Sequence, residues 1–101
     1  MAERTVARVS DIPEDEGLCV AVDGVKVALF RVGGAVYAIA DTCSHAEASL
    51  AEGFLEGTMI ECPLHQACFD IRTGKVLSDP ATEDVASYPA RIDGDSVIVD
   101  L

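Results

Sequence analysis

The amino-acid sequence contains no tryptophan and no apolar run close to the roughly 20 residues that a membrane-spanning helix needs. Its first ten residues, MAERTVARVS, are charged and alternating, and they lack the apolar region of a secretory signal. We therefore expect a cytoplasmic protein that does not contact a membrane. Because thiols stay reduced in that compartment, the four cysteines suggest metal binding or catalysis before disulfide formation.

Basic residues are also scarce, with seven against eighteen acidic residues, which leaves a formal net charge of −11. A surface of this charge repels the phosphates of nucleic acids and of anionic lipids, so neither is expected as a partner. The charge would suit a protein partner with a basic docking face, and it would equally suit solubility alone. The sequence leaves both interpretations open.

The 101 residues suffice for one domain with a modest core. Apolar residues recur mostly with period two, as they do in half-buried strands. Asp23-Gly24, Gly33-Gly34 and Asp93-Gly94 mark hairpin turns between such runs. The sequence therefore predicts an antiparallel all-β domain, with strands over residues 5–9, 18–22, 25–32, 35–39, 88–92 and 96–100.

The remaining segments are less regular. Residues 11–17 are predicted to form a polar turn and residues 46–52 a short helical turn. Residues 41 to about 81 show little alternation, and they hold both histidines and three of the four cysteines. We expect this stretch to be a functional insert mounted on a stiff β base.

Two short patterns hold every histidine of the chain: Cys43-x-His45 and, after sixteen intervening residues, Cys62-x-x-His65. Two thiolates and two imidazoles favour zinc, copper or iron–sulfur chemistry over a role as core residues. A single zinc ion would tolerate the interleaved order without requiring it. A two-iron, two-sulfide cluster gives the order a reason, because each segment can send its cysteine to one iron and its histidine to the other.

These four positions match the family motif C-x-H, spacer, C-x-x-H, and the chain resembles the Rieske-type ferredoxins of bacterial aromatic-ring-hydroxylating dioxygenase systems. A third, proline-containing segment of that family, G-P-A-x-x-x-L-x-x-Y, is matched by residues 79–88, with Asp79 for glycine and Val85 for leucine. The resemblance extends over nearly the whole chain. It implies a Rieske-type antiparallel β-sandwich, residues 1–101, with a small cluster-binding subdomain over about 41–81.

The resemblance also implies the cofactor and its ligands. One [2Fe-2S] cluster per chain would be held by Cys43 and Cys62 on one iron and by His45 and His65 on the other. Positions expected next to the cluster are Ser44, Pro63, Leu64, Gln66, Ala67, Phe69 and Pro80. Gln66 is a departure, since many relatives have glycine there, and it leaves the local shape of the second segment open.

By the same resemblance, the chain would carry single electrons and transform no substrate. It would accept them from a flavin-dependent ferredoxin reductase and pass them, through the histidine edges, to a terminal ring-hydroxylating oxygenase, docking transiently as a monomer. Two alternatives remain open from the residues alone. They are a small subunit of a nitrite-reductase-type enzyme and a zinc-stabilised binding module.

Four positions predict a low reduction potential. High-potential relatives carry a disulfide between positions that correspond here to Ala48 and Leu64, and hydroxyl groups where this chain has Ala67 and Phe69. Hydroxyl donors to sulfur stabilise the reduced cluster and raise its potential. Their absence predicts a midpoint toward the roughly −150 mV end of the Rieske range.

The other two cysteines are not expected to be ligands. Cys68 and Phe69 would lie on opposite faces of a strand over residues 67–70, with Phe69 packed beneath the cluster segment and Cys68 a packed or surface thiol. Cys19 lies in the alternating run 18–22 and is expected to be a buried strand thiol. A disulfide between Cys19 and Cys68 is disfavoured by the reducing compartment.

Overall fold

The computed structural model describes residues 3–42, 48–63, 67–78 and 83–101. Within these ranges the chain forms two 3₁₀ turns, Val9–Asp11 and Leu50–Glu52, and ten strands. The strands are β1 (Glu3–Arg8), β2 (Glu16–Val22), β3 (Val25–Val32), β4 (Ala35–Ala40), β5 (Phe54–Glu56), β6 (Met59–Glu61), β7 (Cys68–Asp70), β8 (Ser87–Tyr88), β9 (Ala90–Asp93) and β10 (Ser96–Asp100).

The strands form three antiparallel sheets, which we name the base sheet (β1-β10-β9), the central sheet (β2-β3-β4-β8) and the small sheet (β5-β6-β7). The predicted all-β antiparallel fold class is confirmed. No helix in the described ranges has the length and apolar character needed to cross a membrane.

The central sheet is built from two hairpins whose turns lie where the sequence predicts them. Asp23 and Gly24 have φ angles of 51° and 82°, and Gly33 and Gly34 have φ angles of 59° and 81°. Positive φ at both central residues defines the type I′ turn, whose twist matches that of the strands it joins. The turn residues thereby set the pairing of β3 with both of its neighbours.

Strand β3 separates two apolar cores because its side chains alternate between the two faces of the central sheet. The site-side core comprises Ala28, Phe30, Ile39, Ala48, Leu50, Ile60, Cys62, Ala67, Phe69, Ile71 and Val85. The base core comprises Ile12, Val27, Leu29, Val36, Ala38, Val97 and Val99. Burying one large apolar side chain contributes about 1.5–3 kcal/mol, so both faces of the central sheet are strongly specified.

The predicted strand over residues 88–92 is wrong as a single element, because the structure splits it at Pro89. Strand β8 pairs with β4 in the central sheet, whereas β9 pairs with β10 in the base sheet. Proline has no N–H to continue a ladder. The Pro89 carbonyl instead accepts a 2.9 Å hydrogen bond from the backbone N–H of Asp100. Pro89 is thus the point where the chain changes sheets.

The predicted polar turn over residues 11–17 is wrong in part. Ile12 is fully buried in the base core, and β2 already begins at Glu16. The strand predicted over residues 5–9 ends at Arg8, because Val9 begins a 3₁₀ turn in which Asp11 Oδ2 accepts a 3.0 Å hydrogen bond from the Arg8 N–H. The polar residues on either side of Ile12 obscured, in the sequence, the one side chain of this segment that packs into the core.

The small sheet was only partly predicted. The strand expected around residues 67–70 is present as β7, but the hairpin of β5 and β6, which turns through Gly57 at φ 60°, was not foreseen. Three-residue strands contain too little alternation to be recognised in sequence. The helical turn predicted over residues 46–52 is a 3₁₀ turn restricted to Leu50–Glu52 in its described part.

Candidate metal centre

The structure describes one of the four predicted ligands, Cys62, together with the neighbouring positions Pro63, Ala67 and Phe69. The other predicted ligands and neighbours lie outside the described residues: Cys43, Ser44, His45, Leu64, His65, Gln66 and Pro80. The described part of the site therefore consists of the residues at which these segments begin and end.

Cys62 follows the last residue of β6 and is 0% exposed. Its backbone N–H donates a 2.7 Å hydrogen bond to the carbonyl oxygen of Ala67, the residue just before β7. The bond joins the end of β6 to the residue before β7, and these two strands pair with each other. The second predicted ligand segment is consequently anchored at both ends, with a buried thiol at its start.

All three predicted segments adjoin the same apolar core. Ala48 follows the first, Cys62 begins the second and Ala67 follows it, and Val85 lies in the described part of the third; all four side chains belong to the site-side core. The sequence separates these positions by up to 37 residues, the distance from Ala48 to Val85. The fold brings their anchors together, as a common cluster site requires.

A close backbone approach joins the chain that follows the first segment to the start of the second. Gly53 lies against the carbonyl of Glu61, so a Cβ at position 53 would overlap the Glu61 oxygen. Only glycine permits this approach without displacing the backbone. Because Cys62 follows Glu61 directly, the contact fixes the strand end from which the thiol projects.

A second close approach joins the turn after β7 to the end of the third segment. Gly74 has φ +77°, and a Cβ there would overlap the carbonyl oxygen of Val85. The Val85 N–H donates a 2.8 Å hydrogen bond to the Gly74 carbonyl, and Asp84 Oδ1 accepts a 2.9 Å hydrogen bond from the Val76 N–H. The described end of the third segment is thus tied to the chain that leaves the small sheet.

Phe69 and Ala67 form part of the apolar interior beside Cys62, and both are 0% exposed. Phe69 is buried, its predicted placement beneath the cluster segment stays a prediction, and strand alternation places the half-buried Cys68 on the opposite face. The Cys68 N–H donates a 3.2 Å hydrogen bond to Ser78 Oγ. Neither Ala67 nor Phe69 supplies a hydroxyl group to this interior.

The prediction of a buried Cys19 is wrong, since its side chain is exposed. Leu18 and Val20 pack against the base core, so alternation turns Cys19 to the other face of β2, where it lies beside Asp41. Partial burial, followed by a side-chain hydrogen bond with Asp41 and the charge of that carboxyl, raises the pKa of the Cys19 thiol. Cys19 forms no disulfide with any described cysteine.

Asp41 is a residue that the sequence reasoning missed. It is 3% exposed, and its Oδ1 accepts hydrogen bonds from Ser49 Oγ at 2.8 Å and from the Ala51 N–H at 3.0 Å. Its backbone carbonyl accepts a 2.7 Å bond from the Leu50 N–H, and its N–H donates a 3.1 Å bond to the Lys26 carbonyl. The available signal was its position two residues before Cys43.

The residues present fit an iron–sulfur cluster. A buried thiol at Cys62, in an apolar interior where three segments are anchored, provides the shielded environment that such a centre uses. Two cysteines and two histidines in these segments complete a donor set of the type that holds two irons and two sulfides.

Comparison with known proteins points to an iron–sulfur protein. Residues 3–89 match the model of the Rieske [2Fe-2S] domain family. The ferredoxin component of the naphthalene 1,2-dioxygenase system of Pseudomonas aeruginosa is 44% identical over 103 residues, covering 100% of this chain and 99% of its own length.

Solved structures show the same fold. The ferredoxin of carbazole 1,9a-dioxygenase from Nocardioides aromaticivorans IC177 superimposes with a TM-score of 0.93 at 37% identity, covering 98% of this chain and 97% of its own. A complex of reduced oxygenase and oxidised ferredoxin in carbazole 1,9a-dioxygenase contains a chain that superimposes with a TM-score of 0.89 at 36% identity, covering 96% of this chain and 91% of its own.

Proposed function

Because the chain belongs to the Rieske [2Fe-2S] domain family, we propose that it is a one-electron carrier of an aromatic-ring-hydroxylating dioxygenase system. It accepts electrons from a flavin-dependent ferredoxin reductase and delivers them to a terminal oxygenase. The observation that carries the proposal is the buried Cys62 in a core that anchors all three predicted cluster segments. The matched ferredoxins of such systems are 44% and 37% identical to this chain, whereas a matched nitrite reductase small subunit is 26% identical, which supports this role over that of a nitrite-reductase-type subunit.

We assign the cluster to Cys43 and Cys62 on one iron and to His45 and His65 on the other, with Ser44, Leu64, Gln66 and Pro80 among its neighbours. The burial of Cys62 and its 2.7 Å closure onto Ala67 support this ligand set. When bound, the cluster supplies a site for one electron, and the chain itself holds that site and excludes water from it. Family membership favours this cofactor over a single zinc ion.

A low reduction potential follows from what surrounds the site. Ala67 and Phe69 are fully buried and have no hydroxyl group to donate to sulfur. Ala48 is buried where high-potential relatives have a disulfide cysteine, and Leu64 stands at the position of its partner. With these two means of raising the potential absent, the added electron is held less tightly.

Docking to both redox partners is transient, and the carrier works as a cytoplasmic monomer. The net charge of −11 steers it toward basic docking faces and repels nucleic acids and anionic membranes. Glu61, directly before Cys62, is one carboxylate at the edge of the site. Electron-transfer rates with either partner fall as ionic strength rises, because salt screens this steering.

The purified protein tests the proposal in two steps. Iron and acid-labile sulfide analysis with EPR of the reduced form should give two irons, two sulfides and a rhombic signal. Stoichiometric zinc with no sulfide contradicts the cofactor. Reconstitution with a ferredoxin reductase and a ring-hydroxylating oxygenase should then restore product formation. A protein that supports nitrite reduction but not ring hydroxylation would contradict the assigned role.

A further inference from the structure

Asp41 is the charged side chain that the structure buries, and no other charged residue within the described ranges is buried to that degree. A carboxylate removed from water destabilises a fold unless hydrogen bonds compensate for its lost hydration. Asp41 has such compensation in two donors to one oxygen, Ser49 Oγ and the Ala51 N–H. Burial of the Asp41 carboxylate therefore carries a cost in folding free energy, which a role at the neighbouring ligand segment would explain.

The hydrogen bonds of Asp41 connect the two ends of the first ligand segment. The residue precedes Cys43 by two positions, and three of its partners, Ser49, Leu50 and Ala51, follow His45. Thr42 and Ser49, at the two ends of this segment, also form an isolated β-bridge with each other. The fourth hydrogen bond, from the Asp41 N–H to the Lys26 carbonyl, ties these two ends to β3 of the central sheet. One side chain and its peptide groups thus fasten both ends of residues 42–49 to the scaffold.

The position of Asp41 also matters electrostatically. Covalent geometry keeps the Cα atoms of Asp41 and Cys43 within about 7 Å, since two residues span no more than that. A buried negative charge on a residue two positions from a cluster ligand opposes the addition of an electron to the cluster, and burial strengthens the interaction by lowering the local dielectric. The same charge lies beside the Cys19 thiol, whose pKa is raised in part by it.

We propose that Asp41 is a positioning residue for the first ligand segment and that its buried negative charge lowers the reduction potential of the cluster. The inference rests on the ligand set under the proposed function. It assigns two separable effects to one side chain. The hydrogen bonds accepted by Oδ1 hold the segment, and the charge sets part of the potential.

Asp41→Asn separates the two effects, because the amide oxygen still accepts from Ser49 and Ala51 while the charge is removed. The variant should retain the cluster and its rhombic EPR signal, with a rate of cluster loss to a chelator within about twofold of wild type. Its reduction equilibrium should become about two- to tenfold more favourable. For a one-electron couple that change equals an upward midpoint shift of about 18–59 mV.

Ser49→Ala is the complementary variant, because it removes one donor and keeps the charge. Cluster loss should accelerate about fivefold, as expected for one lost hydrogen bond, with no shift in the midpoint. Asp41→Ala removes both effects and should show faster loss together with a raised midpoint. Asp95 is an exposed residue in the turn between β9 and β10, which we call the base hairpin. Asp95→Asn is the charge-matched control and should change neither the midpoint nor the rate of cluster loss.

An unshifted midpoint in Asp41→Asn, or cluster loss from Ser49→Ala at the wild-type rate, would overturn the proposal. An equal midpoint shift in Asp95→Asn would overturn it too, since the effect would then reflect net charge alone. Each comparison uses the loaded wild-type protein as its reference. If wild type itself lacks the iron, sulfide and rhombic signal, it is the proposed function that fails, which distinguishes the two outcomes.

Discussion

The two cores of the molecule are specified by different kinds of interaction. The base core lies between two sheets whose strands follow regular alternation and tight hairpin turns. The site-side core contains short strands of three residues, and close backbone approaches at Gly53 and Gly74 fix its segments. The base is therefore determined by pattern, whereas the site is determined by individual contacts. Single substitutions should disable the site while leaving the base intact.

Replacement of Cys62 should have the largest effect on the site. Cys62→Ser removes a soft thiolate, and we expect cluster content to fall to nearly zero. Cys68→Ser, six residues away on the opposite face of β7 from Phe69, should keep the full visible spectrum and iron content. Far-UV circular dichroism should show the strands retained in both variants. A Cys68→Ser protein without a cluster would contradict the assigned ligand set.

A cavity in either core comes next in magnitude. Phe69→Ala should cost about 3–5 kcal/mol of unfolding free energy, and Leu29→Ala about 2–5 kcal/mol, because both side chains are fully buried. Only the first should also accelerate cluster loss, since Phe69 shares a core with Cys62. Denaturant titration and chelator kinetics measure the two quantities. Equal acceleration by both variants would show that the two cores are not separate.

Addition of one methyl group tests the close approach at Gly53. Gly53→Ala should destabilise by about 1–3 kcal/mol, because the new Cβ overlaps the Glu61 carbonyl and displaces the strand end before Cys62. In the base hairpin, Gly94 has φ +62° and open space around it, and Gly94→Asn should change stability by about 0.5 kcal/mol or less. Thermal unfolding of both variants makes the comparison. A harmless Gly53→Ala would show that the approach is not needed.

A hydroxyl at position 67 should alter the potential without altering the fold. If the new group of Ala67→Ser donates to a cluster sulfur, the midpoint should rise by about 60 mV, since a hydrogen bond to a charged group contributes roughly 1.5 kcal/mol. Ala38→Ser, in the base core, should leave the midpoint unchanged. Redox titration of the two variants decides between local donation and a general effect of core polarity. A clearly positive midpoint in wild type would contradict the predicted low potential.

The smallest effects concern one surface ion pair in each region. A side-chain hydrogen bond from Arg72 is the main cause of a lowered pKa at Asp70, and Arg91 lowers the pKa of Glu3 in the same way. A lowered folded-state pKa contributes stability above the unfolded value, and that contribution is lost as pH falls through the folded value. Arg72→Gln and Arg91→Gln should therefore lower the unfolding midpoint slightly at pH 7, with the difference from wild type shrinking as pH falls below about 4 and vanishing once both carboxyls are protonated in the folded protein. A difference that grows in acid would contradict the pairing.

The regular part of the fold could be predicted because its signals are local. Asp23-Gly24 and Gly33-Gly34 specify their turns through residues that tolerate positive φ, and the alternation on either side extends over several residues. Pro89 carried a readable signal too, since proline interrupts a ladder, yet only the sheet pairing revealed that the chain changes sheets there.

The site could be predicted in its ligand types and not in its supports. Cys62 is recognisable because soft ligands at fixed spacing are rare, whereas Gly53 and Asp41 act through partners eight and ten residues away, Glu61 and Ala51. Cys19 was misassigned for a related reason. Period two indicates that alternate residues share a face, and it does not indicate which face meets the apolar core.

The central claim is that a [2Fe-2S] cluster is bound by two cysteines and two histidines, and pulsed EPR of the reduced protein tests it most directly. The chain has two histidines, so uniform ¹⁵N labelling of histidine marks His45 and His65 alone. A Rieske centre predicts couplings from two imidazole nitrogens to the reduced iron. A reduced cluster that shows no histidine nitrogen coupling, or only one, would contradict the assigned ligand set.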